Sequence, residues 1–230
     1  MKNTDNIRNL ISSLKSKIAQ ASKGLDENTV IELEARLGYI NDMQSDNRIF
    51  IPTSHPVVFN TNYVYHFHPG ASRSDFAFFE NEVKKINKNL SEEGKEPLTV
   101  KNTKDMTIKA NNSRYTILDN KITENIIKSR ICVFDVLIPS SAYDIRFSVS
   151  KEEKLPIVGN IPSSGYRRAR ERRSYKDSSG LSYEFTQVKS RSLKDNFEVE
   201  IEITEFGKDC EKVEEFIEKS FDLLTRKELK

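Results

Sequence analysis

The segment FEVEIEIT, residues 197–204, alternates apolar and acidic side chains along most of its length. Because alternate side chains of a β-strand point to opposite faces, the pattern puts Glu198, Glu200 and Glu202 on one face and the apolar groups on the other. Three like charges on one strand face repel one another. Such a face therefore looks either at open water or at something cationic, and the rest of the chain helps to decide which.

The composition is that of a polar globular protein. The chain has 230 residues, 36% hydrophobic and 31% charged, which is enough for one sizeable domain with its own core. Its net charge is only +2, from 37 basic and 35 acidic residues, so local segregation of charge is more informative than the total. The two cysteines, Cys132 and Cys210, give no disulfide framework, which predicts a reducing compartment, cytoplasmic or nuclear. We expect no membrane association, because the apolar runs are far shorter than the roughly 20 residues of a membrane span.

Hydrophobic periodicity predicts helices near both ends of the chain and strands in the middle. Apolar residues at helical spacing predict helices within residues 4–24, 74–90 and 208–230. Between residues 99 and 204, short alternating segments separated by turn residues predict an antiparallel β-meander, barrel or sandwich. With no repeat or linker in view, we expect one α+β domain over residues 1–230. The last helical pattern reaches the end of the chain without a cap, which is typical of a domain cut from a longer polypeptide.

Four other segments share the design of FEVEIEIT. Their polar faces carry Glu32, Glu34 and Arg36 in residues 31–37, Arg146 and Glu152 in residues 143–152, Arg168, Arg170 and Arg172 in residues 165–175, and Glu184 and Thr186 in residues 181–188. One such face is ordinary in a strand that is half solvated. Taken together, however, some faces are nearly all carboxylate and another nearly all guanidinium, whereas a surface made for solubility mixes the two signs. The arginine segment is charged on both parities, so its register is open by one residue.

These faces are explained if they point into a closed barrel whose apolar faces pack outward against the helices. Carboxylates crowded in such a tunnel repel one another unless a hard divalent cation neutralises them, and oxygen ligands select Mg²⁺ or Mn²⁺. The arginines are then left to hold a polyanion such as a phosphate chain. Metal and arginine around phosphates is the electrostatic apparatus of phosphoryl transfer to water.

The same motifs, in the same order, resemble a known family. IELEARLG near the start and FEVEIEIT near the end are similar to the first and last glutamate motifs of the triphosphate tunnel metalloenzymes. KSRICVFDVLIPSSAYDIRFSVSKE, RRARERRSY and SYEFTQV resemble the metal-dependent RNA triphosphatases of mRNA capping in fungi, protozoa and large DNA viruses. The resemblance covers roughly residues 30–204. It implies a closed eight-stranded antiparallel β-barrel with flanking helices, enclosing a hydrophilic tunnel.

The activity implied by this resemblance is removal of the γ-phosphate from 5′-triphosphate RNA, the first step of mRNA cap formation. The 5′-diphosphate end that remains is the substrate of a guanylyltransferase, which acts in cis or in trans. Hydrolysis of free NTPs with Mn²⁺ is a further implication. Similarity to viral capping enzymes adds association with a virion to the expected locations.

The resemblance also assigns roles to residues. It implies Glu32, Glu34 and Glu202 as metal ligands, with Glu198 and Glu200 completing an acidic floor. The implied substrate-binding set is Arg36, Arg146, Arg168, Arg170, Arg172, Thr186 and Glu152. The implied catalytic set is Glu32, Glu34, Arg146, Arg168, Arg170, Arg172, Glu184, Glu198, Glu200 and Glu202. For the family's additional lysine after Arg146, both Lys151 and Lys154 are candidates.

Two other functions stay open at this point. Small-molecule triphosphatases and adenylyl cyclases of the same superfamily usually open with an ExExK motif, where this chain has Arg36. A non-catalytic RNA-binding β domain with solvated charged faces predicts that single glutamate substitutions leave every activity untouched.

His66 and His68 share a strand face, but no third metal ligand is in view, so we expect them to have a packing role.

Overall fold

The computed structural model describes residues 5–59, 65–157, 159–189, 195–206 and 210–227. The helices are α1 (Asp5–Ala21), α2 (Arg73–Glu92) and α3 (Lys212–Leu224). The strands are β1 (Thr29–Asp42), β2 (Val57–Phe59), β3 (Tyr65–Pro69), β4 (Thr99–Ala110), β5 (Ser113–Leu118), β6 (Lys121–Leu137), β7 (Asp144–Lys154), β8 (Tyr166–Lys176), β9 (Ser182–Lys189) and β10 (Asn196–Ile203). In these ranges no helix has the length and apolar content needed to span a membrane.

Eight of these strands close into an antiparallel barrel. The ring runs β1, β7, β6, β5, β4, β8, β9 and β10, and it closes where β10 pairs with β1. Outside the ring, β2 pairs with β6, and β3 pairs with the end of β1. The predicted α+β fold, a closed eight-stranded antiparallel barrel with flanking helices, is confirmed.

The strand β1 holds the ring together because it has partners on both edges. Along one edge it pairs with β7, and along the other it pairs first with β10 and then with β3. Gly38 lies where the second partner changes. A Cβ at that position would collide with the carbonyl oxygen of His68 and the ring of Phe67, so the close approach of β3 requires glycine there.

The apolar faces of the strands point outward and are covered by the helices. Leu33, Ala35 and Leu37 on β1 are fully buried and belong to the same core as the apolar stripes of all three helices. The stripe residues with no exposed area are Ile7, Leu14, Ile18, Phe79, Val83, Val213, Phe216, Ile217 and Leu224. Burying each such side chain stabilises the fold by about 1.5–3 kcal/mol. Because the helices cover the apolar faces on the outside, the polar faces of the strands point into the barrel interior.

Candidate active site

The polar strand faces meet inside the barrel, around a cavity of about 260 Å³. Its walls are formed by Glu32, Glu34, Arg36, Thr107, Arg114, Glu124, Lys128, Glu152, Arg168, Arg170, Arg172, Glu198, Glu200 and Glu202. The carboxylates are removed from solvent: Glu34 is 4% exposed and Glu200 is 2% exposed. The geometry therefore disagrees with solvated charged faces, the arrangement expected of a non-catalytic binding domain.

Three of the glutamates form a compact cluster. Glu34 on β1 is directly opposite Glu202 on β10, and Glu32 lies on the same face of β1. Ligand oxygens of Glu32, Glu34 and Glu202 all lie within 4.8 Å of one another. Burial, strengthened by neighbouring carboxylates, raises the pKa of Glu32 to about 7 and that of Glu202 well above its usual range. Three oxygen donors with unfavourably crowded charge fit a hard divalent cation.

Lys128 on β6 is a site residue that the sequence analysis missed. Its Nζ lies 2.5 Å from Glu32 Oε1, 3.3 Å from Glu152 Oε1 and 3.6 Å from Glu34 Oε2. Burial works to lower the pKa of this lysine, but the surrounding carboxylates outweigh it and the pKa is raised. Lys151, one of the two candidates for the additional lysine, lies opposite Ile31 on the outward face. Lys128 therefore places an ammonium group at the acidic cluster.

A signal for Lys128 was present in the sequence but was interrupted. In ITENIIKSR, the even-numbered Glu124, Lys128 and Arg130 are polar, as on the other tunnel strands, but the apolar Ile126 stands between them. The register of β6 also shifts between Arg130 and Cys132, where a bulge interrupts the alternation. The alternation of polar and apolar residues is broken at both points, so it does not predict that Lys128 faces the tunnel.

Two arginines lie between the carboxylates of β1, β9 and β10. Arg36 makes ion pairs with Glu34 at 3.1 Å and with Glu200. Arg172 Nη2 lies 3.9 Å from Glu200, and the other contacts of Arg172 are to Thr186 Oγ1 at 3.0 Å and Glu184 Oε2 at 3.6 Å. Burial alone would raise the pKa of Glu200, but Arg36 and Arg172 outweigh it and lower that pKa. Glu200 therefore attracts both guanidinium groups, with Arg36 as the closer partner.

The structure resolves the open register of the arginine strand β8. The inward-facing ion pairs are Arg168 with Glu198 at 2.5 Å, Arg170 with Asp105 at 2.8 Å and Arg172 with Glu184 at 3.6 Å. The other parity points outward: Arg167 donates to the Pro162 carbonyl oxygen, and Arg173 pairs with Glu80 on α2. The even-numbered arginines named from the sequence are thus the ones that reach the tunnel.

Other residues named from the sequence support neighbours rather than line the cavity directly. Arg146 is bound by both oxygens of Asp135, at 2.6 and 2.7 Å, with its guanidinium 4.5 Å from the centre of the Phe67 ring. It does not contribute to the cavity wall, so its predicted contact with substrate is not visible in this arrangement. Glu184 accepts hydrogen bonds from the hydroxyls of Ser174 and Ser182, both at 2.5 Å.

Glu152 does line the cavity, but its contacts are to cations of the chain. It accepts from Arg114 at 3.2 Å and pairs with Lys128 at 3.3 Å. Burial works against its ionisation, yet Lys128 and Arg114 lower its pKa. In this structure Glu152 contacts two cations of the chain, and its assignment to substrate binding stays a prediction.

A second and larger cavity, of about 650 Å³, adjoins the first, and we refer to it as the mouth. The two cavities share Glu34, Arg36, Thr107, Arg114, Lys128 and Arg168. The wall of the mouth is rich in basic groups, and Tyr166 at its rim is 53% exposed. The basic residues are Arg36, Lys109, Arg114, Lys128, Arg130 and Arg168. The cavity of the acidic cluster is therefore continuous with a larger cavity that is lined mainly by basic groups.

Comparison with known proteins gives a consistent picture. The sequence matches the family described as mRNA capping enzyme, beta chain, over residues 14–220. It is 24% identical over 156 residues to the mRNA-capping enzyme subunit beta of Schizosaccharomyces pombe, an alignment that covers 63% of this chain and 52% of that protein. This chain thus aligns with about half the length of that relative.

Two kinds of solved structure share the fold. The S. pombe Pct1 RNA triphosphatase in complex with the Spt5 CTD superposes with a TM-score of 0.79 at 18% identity, over 96% of this chain and 93% of that one. The Mimivirus capping enzyme triphosphatase gives a TM-score of 0.50 at 16% identity, over 94% and 97% of the two chains. The family match extends over most of the chain and agrees with the motifs read from the sequence. This chain belongs to the family of the mRNA capping enzyme beta chain.

Proposed function

We propose that this chain is an RNA 5′-triphosphatase that releases the γ-phosphate of 5′-triphosphate RNA in the first step of mRNA cap formation. The observation that carries the proposal is the buried cavity in which the Glu32, Glu34 and Glu202 cluster lies close to an arginine-bearing strand. Membership of the capping enzyme family and the shared tunnel fold support it. The 5′-diphosphate product would pass to a guanylyltransferase, in cis or in trans.

We propose Mg²⁺ or Mn²⁺ as the cation of this site, held by Glu32, Glu34 and Glu202. Carboxylate oxygens are the donors that these ions prefer, and no nitrogen or sulfur ligand is part of the cluster. Held by these three residues, the cation would supply positive charge that offsets the charge building up on the phosphoryl group during transfer. Hydrolysis of NTPs with Mn²⁺ would follow from the same site, since the phosphates are the part of the substrate that it contacts.

The arginines would exchange their carboxylate partners for phosphate oxygens when substrate enters. Arg168 and Arg170 each make one ion pair in the tunnel, and their planar guanidinium groups match phosphate geometry. Arg36 and Arg172 are held by Glu200 and oriented before substrate arrives. Such preorganised charges stabilise the transferring phosphoryl group without reorganisation at the moment of reaction. A tunnel carboxylate would position the attacking water for direct in-line displacement.

The proposal is tested with 5′-triphosphate RNA labelled at the γ-phosphate, in Mg²⁺, in Mn²⁺ and in EDTA, beside labelled ATP under the same conditions. We expect release of the γ-phosphate alone from RNA, dependent on the cation, with a 5′-diphosphate end left behind. Release from ATP without release from RNA would instead assign the chain to the small-molecule branch of the superfamily. If the folded protein releases phosphate from neither substrate, the chain is instead a non-catalytic RNA-binding domain.

The wide basic mouth provides a test of the RNA substrate in particular. Replacing Lys109 and Arg130 together by Ala should raise the KM for triphosphate RNA, because both charges line the mouth outside the acidic cluster. We expect kcat and NTP hydrolysis to be unchanged. The slope of log kcat/KM against log salt concentration should become shallower by about 1.4. Each lost contact to a phosphate of single-stranded RNA reduces the slope by about 0.7, and the double variant loses two contacts.

Two exposed lysines on the same strands provide the control for this pair. Lys104 on β4 pairs with Glu171 at 3.1 Å, and Lys121 begins β6; neither lines the mouth. The double substitution Lys104→Ala and Lys121→Ala should leave the salt dependence as it is. If both double variants have the same effect, the mouth does not select RNA.

The site also predicts a link between Lys128, the cation and stability. Lys128→Met leaves Glu32, Glu34 and Glu152 crowded without their lysine, so in EDTA we expect the free energy of unfolding to fall by about 3 kcal/mol, as for removal of one partner from a buried ion pair. Millimolar Mg²⁺ should restore most of this loss, because the cation replaces the missing charge. Denaturant unfolding with and without Mg²⁺ measures both effects.

The matched control is Lys151→Met, on the outward face of the neighbouring strand β7. Lys151 is half-buried and makes no ion pair within the described part of the chain, so we expect its substitution to change stability by about 0.5 kcal/mol or less. If Mg²⁺ stabilises the Lys128 variant no more than it stabilises the native chain, the cation does not bind beside Lys128.

A further inference from the structure

The two histidines of β3 gain a third neighbour that the sequence did not show. His66 and His68 lie on one face of β3, and Asp46 comes to them from the connection after β1. Asp46 Oδ1 is 2.8 Å from His66 Nε2 and 3.1 Å from His68 Nε2. Taking one ligand atom from each residue, all three atoms lie within 4.8 Å of one another. These residues are on the outside of the barrel, and none of them lines the tunnel cavities.

The position of Asp46 is fixed by the connection that carries it. Its backbone is in the left-handed region, with φ at 54°, and its N–H donates to the Asp42 carbonyl oxygen at 3.0 Å. The Asn41 amide donates to the backbone oxygen of Asp46 at 2.9 Å and reaches its carboxylate at 3.4 Å. Asp42 in turn accepts from the backbone N–H groups of Gln44 and Ser45. The carboxylate is therefore presented to the histidines by a hydrogen-bonded turn, and little ordering remains when a ligand binds.

From this geometry we propose that Asp46, His66 and His68 form a binding site for a divalent transition-metal ion of the zinc type, separate from the carboxylate cluster of the tunnel. Two imidazoles and one carboxylate are a donor set for such ions, and a fourth position stays open for water. Metal–ligand bonds of about 2.0–2.1 Å in a tetrahedron separate the ligand atoms by roughly 3.3 Å. The two histidine–aspartate distances are slightly shorter, so small outward movements of exposed side chains suffice.

The two sites differ in the ions that they select. The tunnel cluster offers oxygen atoms alone, which suit Mg²⁺ and Mn²⁺, whereas imidazole nitrogens favour Zn²⁺, Co²⁺ and Ni²⁺. Without metal, a proton on each Nε2 can satisfy the Asp46 oxygen. On binding, each ring releases its Nε2 proton to solvent and carries its single remaining proton on Nδ1, taken up from solvent where Nδ1 was unprotonated. Each Nε2 then offers its lone pair to the metal, and both histidines bind in the neutral form.

Metal binding is expected to cross-link β3 to the connection between β1 and β2. The opposite face of β3 carries Phe67, whose ring lies 4.5 Å from the Arg146 guanidinium. Joining Asp46 to both histidines would therefore fix the strand that packs against Arg146. A stabilised β3 is an outcome that can be measured without any assay of catalysis.

The test uses the untagged chain and Co²⁺ as a spectroscopic probe, with millimolar Mg²⁺ present to occupy the tunnel. We expect one equivalent of Co²⁺ to give visible absorption typical of four-coordinate geometry, and one equivalent of Zn²⁺ to displace it. The double substitution His66→Gln and His68→Gln should abolish both signals. The double substitution Glu32→Gln and Glu34→Gln should leave them intact, which separates this site from the tunnel.

Matched variants keep the result interpretable. His55 is the third histidine of the chain and lies outside the cluster, so His55→Gln should bind Co²⁺ like the native chain. Asp46→Asn keeps a hydrogen-bonding group beside the histidines but removes the charge, and we expect it to weaken Zn²⁺ binding at least about tenfold.

Zn²⁺ should raise the melting temperature of the native chain and not that of the double histidine variant. Equal Co²⁺ binding by the native chain and the folded double histidine variant would overturn the proposal.

Discussion

Glu34→Gln is expected to reduce γ-phosphate release from 5′-triphosphate RNA by about 10³-fold, at the upper end of the effect of removing one preorganised electrostatic group from an active site. Glutamine keeps the shape of the side chain but removes the charge that would bind the cation. Glu34 lies opposite Glu202, contacts Arg36 at 3.1 Å and lines both the inner cavity and the mouth. Phosphate release at saturating RNA and saturating Mg²⁺ measures the loss.

The control for this substitution is Glu153→Gln. Glu153 is next to Glu152 in sequence, but it lies on the outward parity of β7, opposite Thr29, and does not line the tunnel. We expect native activity from this variant. If Glu34→Gln also keeps native activity, the charge of Glu34 is not used in catalysis and the proposed set of metal ligands is wrong.

Arg168→Ala should lower kcat for RNA by about 10²-fold, because its guanidinium would lie against the transferring phosphoryl group, where one donor has an effect of this order. Among the described residues Arg168 makes a single ion pair, with Glu198, and it lines both the inner cavity and the mouth. Arg168→Lys should recover only part of the rate, since an ammonium group keeps the charge but loses the planar fork. Steady-state kinetics on RNA and on ATP measure both variants.

Arg167→Ala is the neighbouring control, because residue 167 is on the opposite parity of β8. Its guanidinium donates to the carbonyl oxygens of Pro162 and Ser163 outside the tunnel. We expect unchanged kinetics from this variant. Loss of activity in Arg167→Ala together with native activity in Arg168→Ala would mean that the functional face of β8 is the other one.

Much of the fold followed from alternation along the chain. A strand has a side-chain period of two, so FEVEIEIT and IELEARL separate charge from apolar surface whatever their partners are. The segregation of carboxylate and guanidinium faces then predicted a barrel with a polar interior, and the motifs predicted the family; both are confirmed. The roles of the individual tunnel residues stay predictions until the variants are measured.

Contacts between distant strands could not be read in the same way. Arg146 and Lys128 differ in sequence signal: the first stands in a recognisable motif, while the second follows an apolar residue near a bulge. Only the pairing of strands shows that Asp135 engages Arg146, and that Lys128 reaches Glu32. Long side chains extend several ångströms along or across a barrel, so their partners depend on register and closure rather than on sequence spacing.

The sequence by itself determined which residues share a strand face, because backbone geometry sets that alternation locally. It therefore placed the glutamates of β1 and β10, and the even-numbered arginines of β8, on polar faces. The tertiary structure decided which faces meet, which parity of β8 is inside, and that Asp46 joins His66 and His68 across 20 and 22 residues of chain. Those outcomes depend on ring closure and on a turn that crosses to another strand, and a local period carries no information about either.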